Sequence, residues 1–347
     1  MYRSLAALIL IFSFASCHEV DPEYIPPIDD ISVDFEIVRF DEALVNVSLD
    51  SSSAIKKVAE LKEDYPAFFK VYFANVLPIK GDDPAEFVQN LMGFLTDDRI
   101  EKLIDTTNIV FPNMDKIRQE FDQAFRIYKY YFPQFEAPNV YTYISEFSHQ
   151  AFIFPDLEKD GIGIGLDMFL GSSYPYVRMA RENPAFSQYL VRAFNKDHIV
   201  RKGMYMIIDD VIGPPPGNTL LDHMIHNGKK LFILDKSLPT VPDSIIMEYS
   251  AKEIEWVEDS ELGMWSFFFD QDLFYETNMM KINKYINPSP DSPGMPDGAP
   301  GRTANYMGWQ IVKAYMERYP KTSLQQLIAL DDAQMIMNKS KYKPKRK

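Results

Sequence analysis

Thr219-Leu-Leu-Asp-His-Met-Ile-His-Asn-Gly-Lys-Lys-Leu-Phe-Ile-Leu234 is the stretch on which the reading of this chain turns. Gly213-Pro-Pro-Pro-Gly217 just before it is a rigid break that cannot be helix interior, and Asn218 or Thr219 can cap a helix from about Thr219 to Leu234. Five histidines are present, His18, His149, His198, His223 and His226. The last two share a predicted helix face with Asp222, so Asp222, His223 and His226 form the one metal-like cluster in the sequence. A zincin protease needs His-Glu-x-x-His, because one helical turn separates two ligands and the Glu acts as general base on the zinc-bound water. In that register Asp222 takes the first ligand position, His223 takes the base position, and His226 alone fits. The expectation is no catalytic residue, no metal ligand and no cofactor, with Asp222, His223 and His226 as an atypical metal set in the alternative.

Downstream, Ile254, Val257, Glu258, Glu261 and Trp265 set an amphipathic helix over 251–269. Glu248, Glu253, Glu255, Glu258 and Glu261 offer many carboxylates and no ligand signature. Residues 287–301 carry five prolines and three glycines and read as a loop, expected to be exposed and to form a contact surface together with the helix at 305–317. In that helix Tyr306, Trp309, Val312, Tyr315 and Met316 recur at spacings of three and four; another begins at Thr322 or Ser323. Six of the nine residues from Lys339 to Lys347 are basic, read as a solvated tail.

Upstream, helical spacing marks 53–62, 84–95 and 114–132, the last with Ile117, Phe121, Phe125 and Tyr128 on one face and Pro133 ending it. Ile31-Ser-Val-Asp-Phe-Glu-Ile-Val-Arg-Phe40 alternates as a half-buried strand. Asn139–Phe147, Ala151–Phe154 and Ile162–Leu170, with a turn at Lys159-Asp160-Gly161, predict a small antiparallel sheet. Gly161-Ile-Gly-Ile-Gly165 lacks the spacing of a dinucleotide fingerprint and reads as a glycine-rich edge strand. The fold class is α+β, mostly helical, in a single domain over 31–338.

The chain has 347 residues, 46% hydrophobic, which is enough for a sizeable core. Its formal charge of -14 argues against nucleic acid and other polyanionic partners. No Gly-x-Ser-x-Gly elbow is present. The single cysteine, Cys17, follows Met1-Tyr-Arg3, an apolar run over 5–14 and Ala15-Ser16. That arrangement is a secretory signal peptide over 1–16, too short for a membrane span. Phe14-Ala-Ser-Cys17 resembles the bacterial lipoprotein signal, which implies that the Cys17 thiol is acylated, by palmitate-like chains, and becomes the mature N-terminus. Residues 17–30, acidic and with three prolines, then form a tether. The expected place is the cell envelope, lipid-anchored and periplasm-facing, at the outer membrane rather than the inner.

Several stretches together resemble the gliding-motility lipoprotein GldB family of Bacteroidetes-type bacteria. They are Ile164–Gly171, Leu221–Asp235, Trp265 with its acidic helix, Gly308-Trp-Gln-Ile-Val312 and Asn338–Arg346. The family itself resembles zinc-dependent proteases, which implies a zincin-like fold whose metal site has decayed. The resemblance implies a non-enzymatic interaction or assembly component of gliding motility and its associated secretion machinery. Its partners would be other envelope proteins of that machinery, and the membrane through the lipid. The alternative class is a membrane-anchored metal-dependent hydrolase using Asp222, His223 and His226.

Overall fold

The computed structural model describes residues 24–49 and 51–345; the signal peptide, Cys17 and the first part of the tether lie outside the described residues. At its centre, Ile37–Arg39 (β1), Asn139–Tyr143 (β2), Ala151–Asp156 (β3) and Lys159–Gly165 (β4) form one sheet in the order β1-β2-β4-β3. Pairs β1–β2 and β2–β4 are parallel, and only the β3–β4 hairpin is antiparallel. The sheet is therefore mixed, which corrects the antiparallel expectation. After β2 the chain crosses to the outer position, makes β3, turns, and returns between the two. The turn falls at Leu157, held at a φ of 57°, slightly before the position expected from Lys159-Asp160-Gly161.

The second correction concerns the glycine run, because β4 is interior and not an edge. A Cβ at Gly161 would stand 2.4 Å from the Phe154 ring, and one at Gly163 would stand 2.6 Å from the Phe152 ring. Each ring belongs to the residue directly across the hairpin. The glycines thus make room for cross-strand aromatics, which join Tyr141 and Tyr143 around Phe68, stacked on Tyr141 at 4.7 Å. Val140, Ile162 and Ile164 on the other face are fully buried. Gly203 of the Ile199–Ile212 helix comes down there onto Phe121 and Ile162.

Most predicted helices form close to their expected limits, for reasons visible locally. Asp83 caps Pro84–Leu95 by accepting from the amides of Ala85 and Glu86, and proline occupies the first helical position. Helix Asp115–Tyr131 buries the expected Ile117, Phe121, Phe125 and Tyr128. Of 31–40, however, only Ile37–Arg39 pairs as strand. The expected helix over 251–269 breaks at Ser260 into Ala251–Asp259 and Glu261–Asp270. Helices Leu220–Ser237 and Thr303–Arg318 pack along much of their length, with Trp309 and Leu234 fully buried.

The proline-rich segment is exposed over much of its length, as expected, but it is fastened to the body, and the helix expected to share its surface is core. Its outer residues are exposed, but Ser292 and Ala299 are buried. Ser292 Oγ donates to the Pro300 carbonyl at 2.6 Å and shares a hydrogen bond with Thr303 Oγ1 at 2.8 Å. Trp256 Nε1 donates to the Asp297 carbonyl and the Tyr285 hydroxyl to that of Pro293. The Thr303–Arg318 helix behind it is core, since Ala304, Met307, Trp309, Ile311 and Val312 are fully buried.

At the two ends, side chains fasten the chain to the body. Arg126 donates to the carbonyls of Ile28 and Ile31, so the end of the tether lies on the Asp115–Tyr131 helix. Helix Ala333–Ser340 carries the chain into the basic tail, where Tyr342 bonds Glu261 and packs on Trp265. No helix among the described residues is long and apolar enough to cross a membrane.

Candidate functional site

Asp222, His223 and His226 lie on the helix as predicted, but their chemistry differs from that of a ligand set. Asp222 closes a capping box: its Oδ2 accepts from the Thr219 amide at 3.0 Å and the Thr219 hydroxyl at 2.6 Å, while Thr219 Oγ1 accepts from the Asp222 amide. His226 is buried, and its Nε2 has no hydrogen-bond partner among the described residues. Burial first, then Lys230 and Lys229, push its pKa down to about 4. His223 is half-buried and shifted the same way by burial. Among the described residues no group of three His, Cys, Asp or Glu is arranged to hold a metal ion. The carboxylate that a metal would take is the cap of its own helix, so these residues do not fit one.

A different group of charges converges elsewhere. Helix Asp243–Met247 ends at Glu248, whose carboxylate lies 2.6 Å from Lys202 Nζ, 3.0 Å from Arg302 Nη1 and 3.6 Å from Arg201 Nη1. Arg201 also donates to the Ile246 carbonyl, and Arg192 donates to the Glu248 carbonyl while pairing with Glu253. The Tyr249 ring faces both Arg192 and Arg302. Burial acts to raise the Glu248 carboxyl, but Arg201, Lys202 and Arg302 overcome it and hold the group well below the ordinary carboxylate range. Four cations meet two carboxylates, so the cluster carries a local positive excess inside a chain of net charge -14.

Lys202, Glu248 and Arg302 floor a cavity of about 450 Å³. Phe147, Met168, Leu190, Phe194 and Pro288 give it apolar walls, with Ser148, Gln150 and Asn183 adding polar groups. Ser148, Asn183 and Pro288 are exposed, so the mouth is open while the floor is largely buried.

Three of the residues that line the cavity, Phe147, Glu248 and Arg302, hold positive φ. Such backbone costs of order 1 kcal/mol or more per residue and persists only where the surroundings enforce it. For Phe147 the enforcement is Asp167, which is fully buried and accepts from the Phe147 amide at 2.6 Å and the Ser145 amide at 3.1 Å. Burial raises the Asp167 carboxyl to about 6 against the pull of those amides. Asp222, His223 and His226 do not line this cavity.

Sequence reasoning named Glu248 only as one of several downstream carboxylates and did not single out Arg192, Arg201, Lys202 or Arg302. No local pattern marks them, since an acid after the short run Ile245-Ile-Met247 is as easily solvated as paired.

A mostly helical α+β domain around a short mixed sheet, carrying an open cavity with an ion-paired floor, is the class that fold and site define. The chain belongs to the gliding motility protein GldB family, whose model matches residues 21–344. That membership gives it a role in gliding motility. Searches of curated proteins and of solved structures found no match.

Proposed function

We propose that this protein is a cell-envelope component, lipid-anchored through Cys17 and facing the periplasm at the outer membrane. It serves gliding motility and the associated secretion machinery by binding other envelope proteins, not by catalysis. The observation that carries this reading is the floor of the cavity. General acid–base chemistry favours groups whose pKa lies near the working pH. Here Glu248 is held well below the ordinary range, and its partners are permanently charged guanidinium groups and an ammonium. Such a floor is suited to holding a charged ligand; burial draws the Lys202 ammonium's pKa down, and the pull of Glu248 opposes that shift.

The alternative of a metal-dependent hydrolase requires Asp222 to leave its cap, which costs roughly 1 kcal/mol of helix stability before any metal is bound. Metal analysis and peptide cleavage by the purified full chain test the choice. Stoichiometric zinc that disappears in His226→Ala, with metal-dependent cleavage, would overturn the binding reading. For the anchor, Cys17→Ser is expected to give an unprocessed or soluble product that takes up no labelled fatty acid. Label retained on that variant refutes lipidation at Cys17.

A further inference from the structure

We propose that the cavity over Glu248 receives a peptide carboxylate from a partner protein, an inference that rests on the binding reading above and names its ligand. Lys202 Nζ offers three donor positions, and its ion pair among the described residues is with Glu248. Arg302 has five donors, and among the described residues it bonds the Glu248 carboxylate and the carbonyls of Met247 and Glu248. Both residues line the cavity, so donor capacity remains where the space begins. A desolvated positive excess is costly until an anion meets it.

The resident carboxylate sets what kind of anion. Glu248 already meets part of the charge of Lys202 and Arg302, so among the charges lining the cavity one positive charge is left over, which a single carboxylate monoanion balances and a phosphate dianion exceeds. The walls point the same way. Phe147, Met168 and Phe194 offer apolar surface to the body that carries the charge, and about 450 Å³ is within the usual size of a small-ligand site. An apolar peptide segment bearing one carboxylate matches both features.

Calorimetric titration of the full chain in detergent micelles tests this with four probes. They are acetyl-Leu-Phe-Leu with a free carboxylate, its amide, acetyl-Leu-Glu-Leu amide, and inorganic phosphate. At least one acid is expected to bind, with the neutral amide at least tenfold weaker. The tighter acid tells whether a chain terminus or an acidic side chain is the source. Lys202→Met should weaken the acid at least tenfold, whereas Glu248→Gln, which adds a net positive charge, should tighten it. A merely structural role for Glu248 would not give that opposite sign, and Lys202→Met carries the test if Glu248→Gln does not fold. Equal binding of acid and amide, binding of no probe, or phosphate binding tighter than either acid would overturn the carboxylate assignment. Cleavage of a peptide during the titration would instead refute the binding reading on which it rests.

Discussion

Glu248 and Arg302 both occupy the left-handed backbone region, at φ 55° and 62°, and their side chains pair at 3.0 Å across 54 positions of sequence. One is the residue after helix Asp243–Met247, and the other is the residue before helix Thr303–Arg318. Arg302 also donates to the carbonyls of Met247 and Glu248, so a single guanidinium fastens one helix end to another helix start. The Glu248 backbone is held directly by the Arg302 guanidinium, and the pair joins the floor of the cavity to the foot of the proline-rich loop.

Removing one member of this pair leaves charge behind in a poorly solvated place. Arg302→Ala is expected to cost about 3–5 kcal/mol. Glu248→Ala should cost at least as much, because Arg201, Lys202 and Arg302 would then face each other unscreened. Urea unfolding at pH 7 measures both; a loss below about 1 kcal/mol in each would mean that solvent already screens the cluster.

The crossing of helices Leu220–Ser237 and Thr303–Arg318 depends on two glycines that face each other. A Cβ at Gly228 would lie 2.3 Å from the Gly308 carbonyl carbon, and one at Gly308 only 1.8 Å from the Met224 carbonyl oxygen. Backbone cannot yield as a flexible side chain does, so the helices would have to separate and give up packing around Trp309. Gly308→Ala is expected to destabilise by about 3 kcal/mol or more. Gly228→Ala should do the same, and the double variant should cost less than the sum because the separation occurs once. Additive losses would contradict a shared crossing point.

What was legible in the sequence follows from how local each signal is. The Pro84–Leu95 helix was readable because Asp83 and Pro84 state its start within two residues, and the family because its matching stretches run along the chain. The sheet's direction was not readable, since whether β4 lands beside β2 or outside β3 depends on a crossover and not on alternation. The glycines of β4 gave a true signal of close approach that was assigned to an edge, because the rings that need the room, Phe152 and Phe154, lie on the partner strand. The charged floor was hidden for the same reason: Arg201, Glu248 and Arg302 are far apart in sequence, and each alone looks like a surface residue. Asp222 was seen as part of a candidate ligand set, while its bond to Thr219, three residues away, was the nearer explanation.

Shortening the proline-rich segment is expected to damage the fold as well as the surface. Deleting 290–298 removes Ser292, and with it the bonds to the Pro300 carbonyl and Thr303, together with the carbonyls that accept from Tyr285 and Trp256. Four lost hydrogen bonds, at about 1 kcal/mol each, outweigh the small entropic gain from a shorter loop. Thermal unfolding should therefore show a lower midpoint, with the Trp256 fluorescence changed. An unchanged midpoint would return the segment to the status of a simple connector.

Acid should unfold this protein partly through two histidines held neutral. His226 and His198 are both buried, and burial leads the causes that bring each to about 4. An unfolded histidine takes up its proton near pH 6.5, so between about 6.5 and 4 the unfolded chain binds protons that the folded chain refuses. Stability is then fully present above about pH 6.5 and is lost as pH falls towards 4, by roughly 3 kcal/mol for each histidine at the bottom of that window. His226→Leu isolates one share. Because His226 Nε2 has no partner among the described residues, the substitution should leave stability at pH 7.5 unchanged or raise it by about 1 kcal/mol. It should also make the fall between pH 6.5 and 4.5 visibly shallower. Urea midpoints measured across that range decide it: a His226→Leu curve parallel to the parent's would mean that the imidazole is protonated in the folded chain.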